Sequence, residues 1–95
     1  MGERWIGNGK HATFNDGTTR CAAMVSNCEV IEHARLYATS SDFPKLRERN
    51  AVEILGKQVS VMQPACDCYA YGLLAAGHCD LIIEMSLEPY DFLPL

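Results

Sequence analysis

Three acidic residues in the last third of the chain have types and spacing that could do chemistry. Asp67 stands before an apolar helix-forming run, Glu84 follows the apolar triplet 81–83, and Asp91 comes two residues after Pro89. We therefore expect one acid before a helix, one at the end of a buried strand and one at the start of a last helix. Such carboxylates can bind a cation, and backbone N–H groups at a helix start can bind phosphate.

The same acids also have an ordinary structural explanation. Aspartate is among the residues that most often cap a helix N-terminus, which would account for Asp67 and Asp91, and Glu84 could be a solvated strand end. From spacing alone, capping is the commoner case, because capping acids are frequent. The sequence pattern therefore gives candidate ligands and leaves their role open.

Composition and charge exclude several classes of protein. The chain has 95 residues, of which 48% are hydrophobic and 21% charged, as expected for one small globular unit. Its formal net charge of −4, with few and scattered Lys and Arg, argues against a nucleic-acid-binding surface. No apolar run is long enough to cross a membrane, and the N-terminus has no apolar signal core. We therefore expect a cytoplasmic protein with no membrane partner.

The five cysteines form an odd set without a secretion signal, which favours packed free thiols over disulfides. Cys66 and Cys68 could be combined with His78 and Cys79 into a zinc site. However, this spacing matches no common zinc motif, and a predicted helix separates the two pairs. A zinc-binding module therefore stays an alternative, and whether Cys66, Cys68 and Cys79 bind metal stays open.

Hydrophobic periodicity and turn residues predict strands that alternate with helices. The predicted elements are a hairpin over 3–6 and 12–14, an uncertain strand or loop over 18–25, a strand over 34–39, a helix over 45–55 with N-caps in 40–42, a strand over 59–62 ended by Pro64, a helix over 68–76, a strand over 81–83, and a helix beginning at Pro89. Gly56 and Gly77 are the predicted helix stops. This order indicates α/β layering, with 81–83 as an interior strand because it is apolar on both faces.

The C-terminal block resembles the inositol monophosphatase superfamily, and it is closest to the histidinol-phosphate phosphatase branch. The matching residues are Asp67-Cys68-Tyr69-Ala70-Tyr71-Gly72-Leu73-Leu74-Ala75-Ala76-Gly77, Asp80-Leu81, Glu84 and Pro89-Tyr90-Asp91, with Glu3-Arg4-Trp5-Ile6-Gly7 and Thr13-Phe14-Asn15 resembling the hairpin of the same branch. The likeness spans nearly the whole chain and is loosest over about residues 22–60.

This resemblance implies a layered αβαβα sandwich containing a mixed sheet, and Mg²⁺-dependent hydrolysis of a small phosphorylated metabolite. It implies that Asp91, in the Tyr90-Asp91 pair, binds the metal. Glu84 matches the acid that contacts substrate hydroxyl or amino groups, and Asp67 matches a substrate-contacting position. An acid at position 67 suits a cationic substrate.

The chain also departs from the superfamily pattern. The first metal motif, Asp-Pro-Ile-Asp-Gly-Thr, and the glutamate ahead of it have no counterpart here. The partial look-alike Asn15-Asp16-Gly17-Thr18 follows the hairpin, and we interpret it as a turn. We therefore expect residues 1–95 to form a single partial, truncated domain with no complete catalytic set, and to be inactive or very weak alone.

Two further interpretations remain open at this point. The chain could be a non-catalytic remnant that folds only by self-association or with a missing half, because a partial domain leaves sheet edges and apolar faces uncovered. The phosphate monoester is not defined either. Histidinol phosphate, inositol phosphate and other sugar phosphates are all compatible with this half of the fold.

Overall fold

The computed structural model describes residues 2–38, 45–64 and 67–95. The strands in these ranges are β1 (Arg4–Gly7), β2 (Ala12–Asn15), β3 (Arg20–Ala22), β4 (Arg35–Ala38), β5 (Val61–Pro64) and β6 (Leu81–Ile83). The helices are α1 (Leu46–Gln58), α2 (Tyr69–Ala75) and α3 (Pro89–Phe92), with a 3-10 turn over Ile31–His33. The predicted α/β class is confirmed.

An antiparallel sheet forms the N-terminal part of the chain. β1 and β2 pair as the predicted hairpin, with Trp5 opposite Phe14, and β3 adds a third strand next to β2. The connection from β2 to β3 is the turn predicted from Asn15-Asp16-Gly17-Thr18. There the Asp16 carboxylate accepts hydrogen bonds from the backbone N–H groups of Thr18 and Thr19, which lowers the pKa of Asp16.

A parallel sheet with the strand order β5-β4-β6 forms the second part. β4 is its central strand, and the Leu36 and Ala38 side chains on β4 are fully buried. The expectation that 81–83 is an interior strand is therefore wrong within the described residues, since β6 lies at an edge. An apolar pattern on both faces reports that the faces are covered, and it carries no information about the order of strands.

Helix α1 begins at Leu46 and continues to Gln58, so Gly56 does not end it as predicted. A Cβ atom at position 56 would lie 2.7 Å from the Met62 sulfur of β5. Glycine thus leaves room for the flexible Met62 side chain, at a cost of about 1 kcal/mol in helix propensity. The predicted N-caps at 40–42 lie outside the described residues.

Helix α2 ends where the sequence predicts. Gly77 adopts a φ of +81°, its N–H donates to the carbonyl of Leu74, and the N–H of His78 donates to the carbonyl of Leu73. These two bonds are the Schellman pattern that terminates a helix at a left-handed glycine.

The core between these elements is small. The buried hydrophobic residues are Ala34, Leu36, Ala38, Val52, Ala70 and Cys79. Cys79 fits the prediction of a packed thiol, whereas Cys21, Cys28 and Cys68 are exposed. No helix in the described parts of the chain has the length and apolar character needed to cross a membrane.

Candidate functional site

The candidate site lies at the carboxyl edge of the parallel sheet. Helix α2 follows β5 and so begins at this edge, and Glu84 directly follows β6, which runs in the same direction. In parallel α/β sheets, ligands bind outside the carboxyl ends of the strands. The topology therefore places Asp67, Glu84 and the segment carrying Asp91 on the side where such folds bind ligands.

Tyr71 interacts with two of the three acids, one through a hydrogen bond and one through its charge. Its hydroxyl donates a hydrogen bond to Oε2 of Glu84. Burial, this hydrogen bond and the negative charges of Glu84 and Asp91 together raise the pKa of Tyr71 to about 12. We call Tyr71, Glu84 and Asp91 the acid cluster: Glu84 contacts the phenol, whereas Asp91 acts on it through its charge alone. The phenol stays protonated, and so a donor, at neutral pH.

Asp91 caps its own helix. Its Oδ2 accepts the backbone N–H of Glu88 at 2.9 Å, and the Glu88 side chain accepts the N–H of Asp91, which completes a capping box. The capping interpretation is therefore correct for Asp91. A carboxylate has about four lone-pair positions, so one capping bond leaves capacity for a metal ion.

Asp67 lies two residues before α2, and its Oδ1 accepts the N–H of Tyr69, the first residue of that helix, at 3.0 Å. The N–H groups of Tyr69 and Asp91 are thus already bonded to carboxylates. Carboxylates satisfy one N–H group at each of these helix starts, and phosphate binding there stays a prediction.

The acids fit part of a magnesium site. Mg²⁺ in proteins is commonly held by one or two carboxylates, with water and substrate oxygens completing the shell. Asp91 supplies a carboxylate of this kind, but no three His, Cys, Asp or Glu side chains converge within the described ranges. The thiols of the zinc alternative do not converge either, because Cys68 is exposed and Cys79 is buried against the Ala70 carbonyl. Cys66 lies outside the described residues.

Comparisons with known proteins identify the superfamily. No family model matches the chain. A protein of Arabidopsis thaliana, "Bifunctional phosphatase IMPL2, chloroplastic", is 43% identical over 96 residues, which cover 98% of this chain and 26% of the relative. A solved inositol monophosphatase from Zymomonas mobilis superposes with a TM-score of 0.82 at 32% identity, over 95% of this chain and 34% of that one. The chain belongs to the inositol monophosphatase superfamily.

Membership in the inositol monophosphatase superfamily confirms the resemblance found in the sequence, and the fold match agrees with the α/β class. The chain spans 26% of the plant relative and 34% of the bacterial structure. The roles of Asp67, Glu84 and Asp91 remain predictions, because overall identity and fold similarity assign no role to an individual residue.

The structure reveals a hydrogen-bond network around Asp80 that the sequence did not predict. The Asp80 side chain is only 6% exposed, and it accepts hydrogen bonds from the backbone N, Nε and Nη2 of Arg35, at 2.7, 3.0 and 3.1 Å. Ser26 also donates to Asp80, and these bonds hold the pKa of Asp80 well below its usual range. Arg35 Nη2 further donates to the Gly77 carbonyl at 2.8 Å. An acid and an arginine at strand starts are too common to reveal this network from sequence.

A cavity of about 440 Å³ lies between the hairpin and α2. Its lining is mostly apolar and includes Trp5, Tyr71, Gly72 and Leu95, but none of the three candidate acids. The Trp5 ring packs against Phe14, and it lies so close to Gly72 that a Cβ there would meet the ring at 2.9 Å. The cavity therefore borders the acid cluster at Tyr71, although none of the three acids lines it.

Proposed function

We propose that this chain is part of an Mg²⁺-dependent phosphomonoester hydrolase that acts on a small phosphorylated metabolite, of the histidinol-phosphate or inositol-phosphate type. The observation that carries the proposal is the cluster of Glu84 and Asp91 around Tyr71, at the carboxyl edge of a fold shared with an inositol monophosphatase. The name of the plant relative, a phosphatase, supports the same reaction class.

In this proposal the three acids divide two tasks, metal binding and substrate binding. Asp91 provides a hard oxygen ligand to Mg²⁺, while Glu84 and Asp67 bind substrate hydroxyl or amino groups. Bound Mg²⁺ supplies neutralisation of the phosphate charge and activation of a water molecule. A substrate with a positively charged group suits this edge, since all three side chains are acidic.

We also infer that residues 1–95 form one partial domain of the phosphatase fold, and that the lone chain is inactive or very weak. Asp91 is the one metal ligand that we assign, and one carboxylate holds Mg²⁺ weakly. A cytoplasmic location stays a prediction, and the plant relative is described as chloroplastic.

A chimera tests the proposal directly. The segment of the plant relative that aligns with this chain would be replaced by the chain. Phosphate release from a panel of phosphate monoesters would then be measured with Mg²⁺ and after the Mg²⁺ is removed by a chelator. We expect an active, Mg²⁺-dependent chimera in which Asp91→Asn lowers kcat/KM at least about 100-fold, because a lost metal ligand removes several kcal/mol of charge stabilisation.

Asp16→Asn is the matched control, because Asp16 is an aspartate in the look-alike motif that serves only a turn. This variant should keep kcat/KM within about twofold of the parent chimera. The isolated chain should release no measurable phosphate under the same conditions. A folded but inactive chimera would reject the proposed function, and an Asp91→Asn chimera with full activity would reject the metal role of Asp91.

A second candidate function, self-association without catalysis, is favoured by the amount of exposed surface. The chain exposes 7135 Å², which is about 1,700 Å² more than the ~5,400 Å² expected for a compact monomer of its 10.5 kDa mass. Stable interfaces bury about 800 Å² on each partner. Exposed apolar residues include Met24, Val25, Ile54 and Val61. A second copy of the chain is the partner that we propose for this surface.

Sedimentation equilibrium at several protein concentrations tests this candidate. We expect the average mass to rise with concentration toward that of a dimer, because burial of apolar surface drives the association. Ile54→Lys is expected to shift the equilibrium toward monomer, whereas Arg47→Lys on the same helix should not. A well-folded monomer at all concentrations would reject self-association.

A further inference from the structure

Tyr71 has no task of its own in the proposed function, although it contacts Glu84 directly. It lies on α2, which packs against β6, and its hydroxyl reaches the carboxylate that leaves the end of that strand. The phenol is half-buried, and Glu84 is half-buried as well. A glutamate side chain has several rotatable bonds, so a single hydrogen bond from a rigid aromatic ring greatly restricts its orientation.

We propose that Tyr71 is a positioning residue, whose hydroxyl holds Oε2 of Glu84 and so turns the other carboxylate oxygen toward a substrate hydroxyl or amino group. This inference rests on the proposed function of Glu84 and adds a residue to that site. It also favours one substrate contact, because the carboxylate oxygen that accepts nothing from Tyr71 keeps both of its lone-pair positions for a ligand donor.

The charges around Tyr71 support a role as a fixed donor. Its neighbours in the cluster are both acids, so the neutral phenol is the form that both of them favour. The hydroxyl also satisfies part of the negative charge on Glu84, since it donates to one of the carboxylate oxygens. Tyr71 is therefore suited to orienting Glu84 and unsuited to removing a proton at neutral pH.

The first test uses the chain itself and needs no catalytic activity. Proton couplings in NMR spectra report the rotamer of the Glu84 side chain, in the parent and in Tyr71→Phe, which keeps the ring and removes the hydroxyl. We expect one dominant Glu84 rotamer in the parent and rotamer averaging in the variant. An equally ordered Glu84 in Tyr71→Phe would overturn the proposal.

The second test uses the chimera defined above. Tyr71→Phe is expected to raise KM about 5- to 10-fold and to change kcat less than about twofold, because it weakens binding that is equal in the ground and transition states. In the Glu84→Gln background the same substitution should change KM by less than about twofold, because Tyr71 acts through Glu84. Full additivity of the two effects would contradict this assignment.

Tyr69→Phe is the matched control. Tyr69 lies on the same helix, and its hydroxyl also donates to a glutamate, Oε2 of Glu3 at 2.7 Å, but on the hairpin side. Its loss should leave KM within about twofold. An inactive chimera would reject the proposed function, while the rotamer measurement on the chain would still decide whether Tyr71 orients Glu84.

Discussion

Asp80→Asn is expected to lower the free energy of unfolding by about 3 kcal/mol, a large part of the total for a small domain. Asp80 receives three N–H donors from Arg35 and one hydroxyl from Ser26 in a nearly buried position. The substitution removes the negative charge that pairs with Arg35, and it places an amide N–H donor next to the N–H donors of the guanidinium. Arg35 keeps 39% of its side chain exposed, which places the expected loss at the lower end for broken ion pairs. Urea unfolding would measure it.

The same network predicts how stability depends on pH. The pKa of Asp80 is lowered in the folded state, so its contribution is present above the ordinary aspartate pKa of about 3.9 and is lost as pH falls below that value. We expect the difference in stability between the parent and Asp80→Asn to shrink when urea unfolding is repeated at about pH 3 instead of about pH 7.

Glu53→Gln serves as the control for Asp80→Asn. Glu53 pairs with Lys57 at 3.3 Å on the exposed face of α1, where both side chains are mostly in water. Its loss should change stability by no more than about 0.5 kcal/mol. If Asp80→Asn were no more damaging than Glu53→Gln, the Arg35–Asp80 network would not stabilise the fold as we infer.

Gly77→Ala is expected to cost about 3 kcal/mol. Gly77 has a φ of +81°, and a Cβ there would lie 2.8 Å from the carbonyl oxygen of Met24 and 3.2 Å from the Ser26 nitrogen. Alanine in a left-handed conformation costs about 1 kcal/mol, and a clash with backbone atoms adds more because backbone cannot move aside as a side chain can. Thermal or urea unfolding of the variant measures the loss.

Gly9→Ala separates the two contributions to this effect. Gly9 has nearly the same φ, +83°, but no atom lies within 4 Å of a Cβ placed on it. It should therefore lose only the conformational part, about 1 kcal/mol. Equal losses at the two positions would show that the close approach of α2 to the segment around Met24 is not as tight as the structure indicates.

The local elements of this chain could be predicted because their signals are local. The hairpin, the turn at Asp16, the stop at Gly77 and the start of α3 at Pro89 all depend on residues a few positions apart. The predicted stop at Gly56 is wrong because α1 continues to Gln58, and glycine in a helix costs only about 1 kcal/mol, so it ends a helix only where the chain turns away. The prediction that 81–83 is an interior strand is wrong within the described residues, where β6 lies at an edge. Strand order depends on pairing between distant segments, which local sequence does not reveal.

The candidate site divides in the same way. The sequence by itself determined the acids Asp67, Glu84 and Asp91 and, through a long matching block, the superfamily. Only the tertiary structure decided that Tyr71 donates to Glu84 and that carboxylates accept one N–H group at the start of α2 and one at the start of α3. It also decided that Asp80 is bound by Arg35, 45 residues earlier in the chain. Residue type and spacing fix which groups are available, whereas hydrogen bonds between distant segments form only when packing brings them within about 3 Å.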